Sequence, residues 1–382
     1  MIRRARFPES AEERAERIVK EVKKLGLGPA KAGSEAGALE SASSKPSSVQ
    51  DIERRIERNL RAVSPGTPEL ARALANKTTH EGIDLAALLV AGDVSHRDLD
   101  ADKLANLEAV IQVVGRPAWF IAGDAPDTSA ATTDDDFWIA HINAAQNAIF
   151  DVCARVGCIM LGNAEPLVPV ATGWLIGQNT LVTNAHVASA IARQNLALAG
   201  TDARQGWRLR TDRPGTVDFK FEKRSLKHSR FVIDEVLYVE SSEDPDIAIF
   251  RVKPPAGLGA PSPIALDLNP SSGWTNRNVF VAGHPIKDLT DDQNVVKVFG
   301  ELDGTKRFSP GHVLQLLETD VLAHDCSTTN GSSGSPLIDF AGSKAVGLHY
   351  FGHPGARNEA VLLSAIADHP AIVRSRTGDW GI

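Results

Sequence analysis

The sequence predicts a mainly α-helical N-terminal region followed by an all-β region of two six-stranded antiparallel Greek-key barrels. Two features favour this fold class. From residue 156 onward, short apolar runs alternate with turn signals, as expected for small antiparallel barrels. The first 122 residues instead show helix-start signals and apolar positions at helical spacing. At 382 residues, the chain is long enough for two regions that each bury a core.

Helix signals in the first part of the chain begin with a capping box at Ser10-Ala11-Glu12-Glu13, which predicts a helix to about Lys24. Residues 30–49 are rich in Ala, Gly and Ser and lack an apolar period, so we expect a flexible linker there. The other elements expected before residue 156 are helices at 50–63, 68–76, 101–114 and 139–152 and a strand near 116–121.

We divide the chain into three parts on these grounds. Residues 1–122 form a helical regulatory or adaptor region, residues 123–136 form a linker, and residues 137–382 contain the two barrels. A dozen apolar runs suit two six-stranded barrels. The predicted strands are 156–161, 170–176, 180–184, 216–221, 231–239, 246–252, 278–282, 295–299, 312–318, 336–339, 344–350 and 360–364.

A turn near the end of the chain has the composition of a nucleophile turn. Gly331-Ser332-Ser333-Gly334-Ser335-Pro336 sets serines between glycines. A serine nucleophile needs a tight turn whose backbone N–H groups point at the developing oxyanion. Gly331 can adopt backbone angles that are closed to other residues, and Gly334 lets the chain turn away without a clash.

Two upstream motifs supply the residues that activate such a serine. His186 follows an apolar strand in Leu181-Val182-Thr183-Asn184-Ala185-His186, and Asp246 enters another in Asp246-Ile247-Ala248-Ile249-Phe250. Asp244 competes with Asp246, but it precedes Pro245 and is expected in a turn. The chain order of these groups is His, Asp, Ser, which is one of the known orders of a catalytic triad.

Residues of about 150–370 resemble a chymotrypsin-fold, trypsin-like serine protease, and most of all the bacterial glutamyl endopeptidase branch. The resemblance rests on motifs that occur in the same order along the chain. They are Thr172-Gly173-Trp174, Thr183-Asn184-Ala185-His186-Val187, Asp246-Ile247-Ala248, Val281-Ala282-Gly283-His284-Pro285, Ser327-Thr328-Thr329-Asn330-Gly331-Ser332-Ser333-Gly334-Ser335-Pro336 and Gly347-Leu348-His349-Tyr350.

The resemblance implies a role for each catalytic residue. In this family the nucleophile lies three residues before the proline, which selects Ser333. His186 would then be the general base, and Asp246 would orient its imidazole. The backbone N–H groups of Gly331 and Ser333 would form the oxyanion hole. This chemistry requires neither a metal nor an organic cofactor.

The resemblance also implies a substrate pocket formed by Ser327, Thr328 and His349. A protonated imidazole and two hydroxyls would bind a Glu or Asp side chain at the residue before the scissile bond. Neither position 327 nor position 328 holds an acid that would attract Arg or Lys. A pocket with a neutral histidine would instead accept small or polar residues.

Charge and cysteine usage limit the expected partners and location. The net charge of −7 gives no general reason to bind nucleic acid or anionic lipid. No apolar run approaches the roughly 20 residues of a membrane-spanning helix. The three cysteines do not form a secreted disulfide framework. We therefore expect a cytoplasmic protein whose partners are protein or peptide substrates, without nucleic acid or membrane.

Two classes of function fit the sequence. The favoured one is an intracellular serine endopeptidase whose residues 1–122 regulate it or recruit a signalling or defence partner. The alternative is a catalytically idle module of the same fold that binds peptides. The intact set of His186, Asp246 and Ser333 favours the enzyme. Esterase activity would use the same chemistry.

Overall fold

The computed structural model describes residues 10–27, 48–94, 101–132, 135–199, 205–242, 244–269, 273–287, 293–352 and 357–380. Most of the predicted linker at 30–49 lies outside the described residues. Within the described ranges, no helix is long and apolar enough to cross a membrane.

The N-terminal region contains the helices α1 (Ala11–Lys24), α2 (Val49–Val63), α3 (Pro68–Ala91) and α4 (Ala101–Gly115). The predicted capping box opens α1, with Glu13 N 3.2 Å from Ser10 Oγ and Ser10 N 2.8 Å from Glu13 Oε2. The third helix extends well beyond the predicted 68–76. It crosses α4 closely at Gly82, where a Cβ would lie 2.9 Å from Val110 Cγ2.

The chain enters the barrels through a hairpin of β1 (Trp119–Ala122) and β2 (Ala125–Pro126), followed by α5 (Asp136–Ala144) and α6 (Gln146–Cys153). The single helix expected at 139–152 is therefore two helices. Trp119 pairs with Phe308 of the second barrel. Residues 123–136 include β2 and a short 3-10 turn at Thr128–Ala130. The division of the chain at 123–136 stays a prediction.

The first barrel is built from the next strands along the chain. Its segments are β3 (Val156–Leu161), β4 (Val168–Gly177), β5 (Thr180–Thr183), α7 (Ala185–Ile191), β6 (Ala192–Gln194), β7 (Trp207–Leu209), β8 (Gly215–Asp218), β9 (Arg230–Val239) and β10 (Ala248–Lys253). The barrel closes in the order β10-β5-β4-β3-β8-β9, and β6 and β7 form a separate pair. Leu175, Leu181 and Phe250 are buried in its interior.

The second barrel follows and confirms the predicted pair of barrels. Its segments are β11 (Asn278–Gly283), α8 (Gln293–Phe299), β12 (Arg307–Leu317), β13 (Val321–His324), β14 (Pro336–Asp339), β15 (Ala345–Phe351), β16 (Asn358–Leu362) and α9 (Pro370–Thr377). Its strands close in the order β11-β14-β15-β16-β13-β12, and β1 extends the sheet beside β12. The sequence did not predict β13.

One predicted strand is wrong, because residues 295–299 form most of the helix α8. Their valines and phenylalanine are typical of strands, and a short apolar run does not distinguish a strand from a buried helix. Val295, Val298 and Phe299 have the i, i+3, i+4 spacing of one helix face. All three are buried in the same core as the N-terminal helices. Tertiary packing therefore overrides the local preference.

α8 belongs to the core of the helical region, although it lies between two strands of the second barrel. Members of this core include Ile18, Val22, Ile52, Ile56, Leu107, Val110, Val295, Val298, Phe299 and Leu302. Asn59 Nδ2 of α2 donates to the carbonyl oxygens of Lys297 and Val298 at 2.9 and 3.0 Å. These carbonyls lie at the helix end, where intrahelical partners are missing. The helical region thus contacts a loop of the second barrel directly.

The packing of α8 predicts the cost of removing its phenylalanine. Phe299 is 3% exposed, so Phe299→Ala should lower the free energy of unfolding by about 3–5 kcal/mol. Leu316 of β12 is 39% exposed, and Leu316→Ala should cost less than about 1 kcal/mol. Urea unfolding followed by circular dichroism measures both. Equally small losses would contradict the burial of α8 among the N-terminal helices.

Candidate active site

His186 and Asp246 come together where β5 ends and β10 begins. These strands are antiparallel neighbours in which Thr183 pairs with Ala248, so residues just outside the pair lie side by side. His186 Nδ1 is 2.7 Å from Asp246 Oδ2, and His186 N donates to Asp246 Oδ1 at 3.1 Å. Asp246 is 1% exposed. Because a carboxylate only accepts hydrogen bonds, this contact places a proton on Nδ1 and leaves Nε2 as the basic nitrogen.

Asn184 fixes the position of the aspartate from the other side. Its side-chain Nδ2 donates to the backbone oxygen of Asp246 at 3.0 Å, and the residue is fully buried. The sequence motif around His186 contains this asparagine but gives no sign of its role. Two side chains of the segment after β5 therefore contact Asp246.

The serine turn lies between β13 and β14 and requires its glycines. Gly331 has a φ of +84° and Gly334 a φ of +86°, which is the left-handed region that favours glycine. A Cβ on Gly331 would lie 2.3 Å from His284 O, and one on Gly334 would lie 2.2 Å from Thr172 O. No other residue fits at either position without moving the backbone.

Thr172 of β4 connects this turn to the first barrel. Its N–H donates to Ser333 O at 3.0 Å, and its hydroxyl donates to Gly331 O at 2.7 Å. The same hydroxyl accepts from His284 N at 2.9 Å. Thr183 Oγ1 donates to Thr172 O at 2.8 Å. The N–H and the hydroxyl of Thr172 thus bind the second barrel, while its carbonyl is held by Thr183 within the first.

The peptide between Asn330 and Gly331 has a defined orientation. Asn330 O accepts from Ile286 N at 2.7 Å. The peptide is trans, since the cis bonds of the described residues are at Pro166 and Pro245. The N–H and C=O of a trans peptide point to opposite sides. The Gly331 N–H therefore points away from Ile286.

A cavity of about 320 Å³ lies between the two barrels beside the serine turn. His186 from the first barrel lines it, as do Gly331, Ser333 and His349 from the second. A hydroxyl, an imidazole and a backbone turn from different barrels thus open into one space. A cavity of this size suits one or two side chains of a peptide.

Ser327 and Thr328 are buried beside the cavity and do not line it. Ser327 Oγ donates to the backbone oxygen of Arg116 at 2.8 Å, and Thr328 Oγ1 donates to Asn358 Oδ1 at 2.8 Å. Thr328 lies directly behind Gly352, where a Cβ would come within 2.0 Å of its hydroxyl. Gly352 itself lines the cavity. The structure therefore places these two hydroxyls in the pocket wall.

His349 lines the cavity and forms a buried pair with His324. His324 Nε2 and His349 Nδ1 are 3.1 Å apart. Burial lowers the pKa of His349 well below its ordinary value, and His324 and His186 lower it further. Burial also lowers the pKa of His324 to about 4, although Asp325 opposes this shift. Both imidazoles are thus neutral at neutral pH, unlike the protonated His349 expected from the sequence.

Sequence patterns missed several residues that shape the site. They are Arg116, Asn184, Ile286 and Asn358. His324 lies near the serine turn in sequence and was expected to face solvent, but it is fully buried. Ile286 contributes through its backbone N–H, which binds Asn330 O. A sequence motif, which is read from side chains, does not reveal such a contact. Arg116 and Asn358 are distant in sequence from the motifs they contact, so only the fold brings them there.

Part of the chain is similar to known proteins. Residues 171–348 match the family model of the trypsin-like peptidase domain. Glutamyl endopeptidase of Staphylococcus aureus (strain MW2) is 25% identical over 198 residues, which cover 51% of this chain and 50% of that protein. The glutamyl endopeptidase of strain MRSA252 is 24% identical over 198 residues, with coverage of 51% and 46%. The chain thus spans about half the length of these curated relatives.

Solved structures also match the chain. The active form of a protease from M. tuberculosis has a TM-score of 0.39 and 16% identity, covering 61% of this chain and 87% of its own. A serine endoprotease from Yersinia pestis has a TM-score of 0.39 and 13% identity, with coverage of 60% and 66%. The two closed barrels have the arrangement of the chymotrypsin fold, and residues 171–348 within them match the trypsin-like peptidase domain. Its similarity to curated proteins is to glutamyl endopeptidases.

The Thr172 junction predicts a stability effect. Thr172→Val leaves the buried His284 N–H without its acceptor and Gly331 O without its donor. It should lower the free energy of unfolding by about 1–3 kcal/mol. Thr180→Val is a matched control, because the buried Thr180 hydroxyl donates only to Gln178 O within one turn. Denaturant unfolding of the two variants should separate them, and equal losses would contradict a special role for Thr172.

Proposed function

We propose that the chain is a serine endopeptidase with Ser333 as nucleophile, His186 as general base and Asp246 as its orienting carboxylate. The observation that carries the proposal is the 2.7 Å contact between His186 Nδ1 and Asp246 Oδ2 beside a cavity that Ser333 also lines. An imidazole fixed in this way has one basic nitrogen left for the serine hydroxyl.

Peptide hydrolysis would then proceed in two halves. Ser333 Oγ attacks the scissile carbonyl carbon while His186 Nε2 takes the hydroxyl proton. His186 then gives that proton to the leaving amine, which leaves an acyl group on Ser333. A water molecule, deprotonated by the same nitrogen, attacks the acyl carbon and restores the serine. Asp246 stabilises the imidazolium that forms in each half.

The oxyanion that forms in each half would bind to the backbone N–H groups of Gly331 and Ser333. The hydrogen bond from Ile286 N to Asn330 O supports this role for Gly331, because it holds the intervening peptide with the Gly331 N–H directed away from Ile286. One such donor contributes about 3–4 kcal/mol to lowering the barrier of an acyl transfer.

A preference for cleavage after acidic residues is supported by His349, which lines the cavity. The imidazole is neutral in the free protein, since burial and then the two neighbouring histidines lower its pKa. A substrate carboxylate beside it would raise that pKa, so binding would be accompanied by proton uptake. Ser327 and Thr328 would shape the pocket through their bonds to Arg116 O and Asn358, while His349 would contact the substrate.

The chain would be intracellular, which agrees with its free cysteines. Residues 1–122 would regulate the enzyme or recruit a partner. Cys153, Cys158 and Cys326 are free and buried, which suits a reducing compartment. A protein or peptide is the substrate class that a domain of this kind takes. The signalling or defence partner expected for residues 1–122 would bind a region that also contacts the second barrel through α8.

Ser335, two residues after Ser333, provides a control for the assignment of the nucleophile. Ser333→Ala should lower peptide hydrolysis by several orders of magnitude, because the attacking hydroxyl is gone. Ser335 is also buried, and its hydroxyl has no hydrogen-bond partner among the described residues. Ser335→Ala should therefore keep close to the wild-type rate. Cleavage of a peptide library, with products identified by mass spectrometry, measures both. Loss of activity only in Ser335→Ala would refute the assignment.

The pocket predicts a pH-dependent preference. Peptides that differ only by Glu or Gln before the scissile bond should be compared by kcat/KM between about pH 5.5 and pH 9. The bound carboxylate favours protonated His349, and this proton is lost as the pH rises. The Glu-to-Gln ratio should therefore fall with rising pH, while effects of His186 cancel in the ratio.

His349→Gln provides the control for this profile. It keeps a polar side chain of similar size but cannot take up a proton, so the Glu-to-Gln ratio should become small and independent of pH. A wild-type enzyme that cleaves equally well after Glu and Gln at every pH would refute the acidic pocket.

A further inference from the structure

Arg116 lies just after α4 and joins the helical region to the segment that leads into the serine turn. Its Nη2 is 3.0 Å from Glu21 Oε2 of α1, and its Nε is 3.3 Å from Asp325 Oδ2. All three side chains are less than 10% exposed. Asp325 follows β13 directly. Two buried ion pairs thus connect the first helix of the chain to the start of the loop that contains Ser333.

The segment of residues 325–328 is held by Arg116, by Asn358 and, at Asp325, by the backbone of His312 in β12. On one side, the Arg116 side chain pairs with Asp325, and its backbone oxygen accepts a hydrogen bond from Ser327 Oγ at 2.8 Å. On the other side, Asn358 of β16 donates to Cys326 O at 2.6 Å and accepts from Thr328 at 2.8 Å. Arg116 supplies the contacts that come from the helical region.

The residues that follow this segment line the cavity. Thr329, Asn330, Gly331 and Ser333 are among its lining residues. Ser332 N donates to Thr329 O at 3.0 Å, so the turn is built directly on the end of the segment. A displacement of residues 325–328 would therefore move the oxyanion donors relative to His186, which is fixed on the other barrel.

A second contact of the helical region reaches the same peptide. α8 is packed among the N-terminal helices, and the loop that contains it is closed by Lys287 N donating to Leu302 O at 3.0 Å. Ile286, next to Lys287, donates to Asn330 O at 2.7 Å. The helical region is thus linked indirectly to the serine turn by two routes, one through Arg116 and the segment 325–328 and one through α8 and Ile286.

We propose that Arg116 is a positioning residue, through which helices α1–α4 hold the pocket wall at 325–328 and the serine turn in the geometry needed for catalysis. Arg116 is absent from the cavity lining. Its side chain acts through Asp325, and its backbone oxygen binds Ser327. The helical region is then required for a formed active site. The expected effect on hydrolysis rests on the proposed function. The expected effect on the order of residues 325–328 and the serine turn does not.

Arg55 provides a matched control for the loss of a buried arginine. Its Nη2 pairs with Asp135 Oδ2 at 2.9 Å, and its Nη1 donates to Val113 O at 2.9 Å. Its side chain is 8% exposed, against 7% for Arg116. Arg55 thus resembles Arg116 in charge, burial and pairing, but it contacts residues away from the serine turn. Arg55→Met and Arg116→Met should destabilise the fold to a similar degree.

The test is hydrogen exchange, followed by mass spectrometry, on the full-length chain and its variants. In Arg116→Met, amides of residues 325–332 should exchange at least about tenfold faster, because Asp325 loses its buried ion pair to the helical region. The bond from Ser327 to the backbone oxygen of residue 116 remains in this variant. Arg55→Met should leave these amides at the wild-type rate. Arg116→Lys retains the charge but not the two-sided geometry, and it should give an intermediate rate. Ser327→Ala is a milder variant, which should speed exchange in the same residues even if Arg116→Met does not fold.

Hydrolysis of one peptide, measured per folded molecule, completes the experiment. Arg116→Met should lose at least about tenfold in kcat/KM, and Arg55→Met should retain the wild-type value. Unchanged exchange at 325–332 in the Arg116 variants and in Ser327→Ala would overturn the inference, whether or not the chain is a protease. Equal acceleration in Arg55→Met would do the same. If exchange at 325–332 is faster only in the Arg116 variants and in Ser327→Ala, but the wild-type protein cleaves no peptide, the positioning role is supported and the endopeptidase is refuted.

Discussion

The hydrogen bonds of Thr172 are the constraint on which the site depends. His186 and Asp246 belong to the first barrel, while Ser333 belongs to the second, so the distance between the imidazole and the serine hydroxyl is set by the contact between the barrels. Thr172 binds Ser333 O through its N–H and Gly331 O through its hydroxyl. Its own carbonyl accepts from Thr183. The approach is so close that Gly334 cannot carry a Cβ, which explains the glycine at that position.

The buried ion pair between Arg116 and Asp325 links the serine turn to the N-terminal helices as well. Burial disfavours the ionised form of Asp325, but the neighbouring Arg116 and His312 lower the pKa of its carboxyl below the ordinary value. Removing one partner of such a pair typically costs about 3–5 kcal/mol, because the other charge stays buried. Since the folded-state pKa is depressed, this contribution is present above the unfolded pKa of an aspartate and is lost as the pH falls. The link between helices and serine turn is therefore expected to weaken in acid.

The sequence predicted the two barrels and pointed to His186, Asp246 and Ser333 because both inferences rest on local patterns. Apolar runs between turns mark strands, and the glycines around Ser333 mark a strained turn. Residues 295–299 were misread as a strand because their environment, a core shared with distant helices, is not visible in a short window. The neutral state of His349 depends on burial beside His324. Likewise, the contact of Ser327 with Arg116 joins residues far apart in sequence, so neither could be predicted from a motif.

The most direct test of the central claim, that the two barrels meet to activate one serine, is to map the adduct of a fluorophosphonate. The native protein and a urea-unfolded sample should be treated side by side, digested and analysed by mass spectrometry. The account predicts a single modified residue, Ser333, in the native protein and none in the unfolded sample, because activation requires His186 and the Thr172 junction. A native protein that stays unmodified, or one modified at another serine, would contradict it.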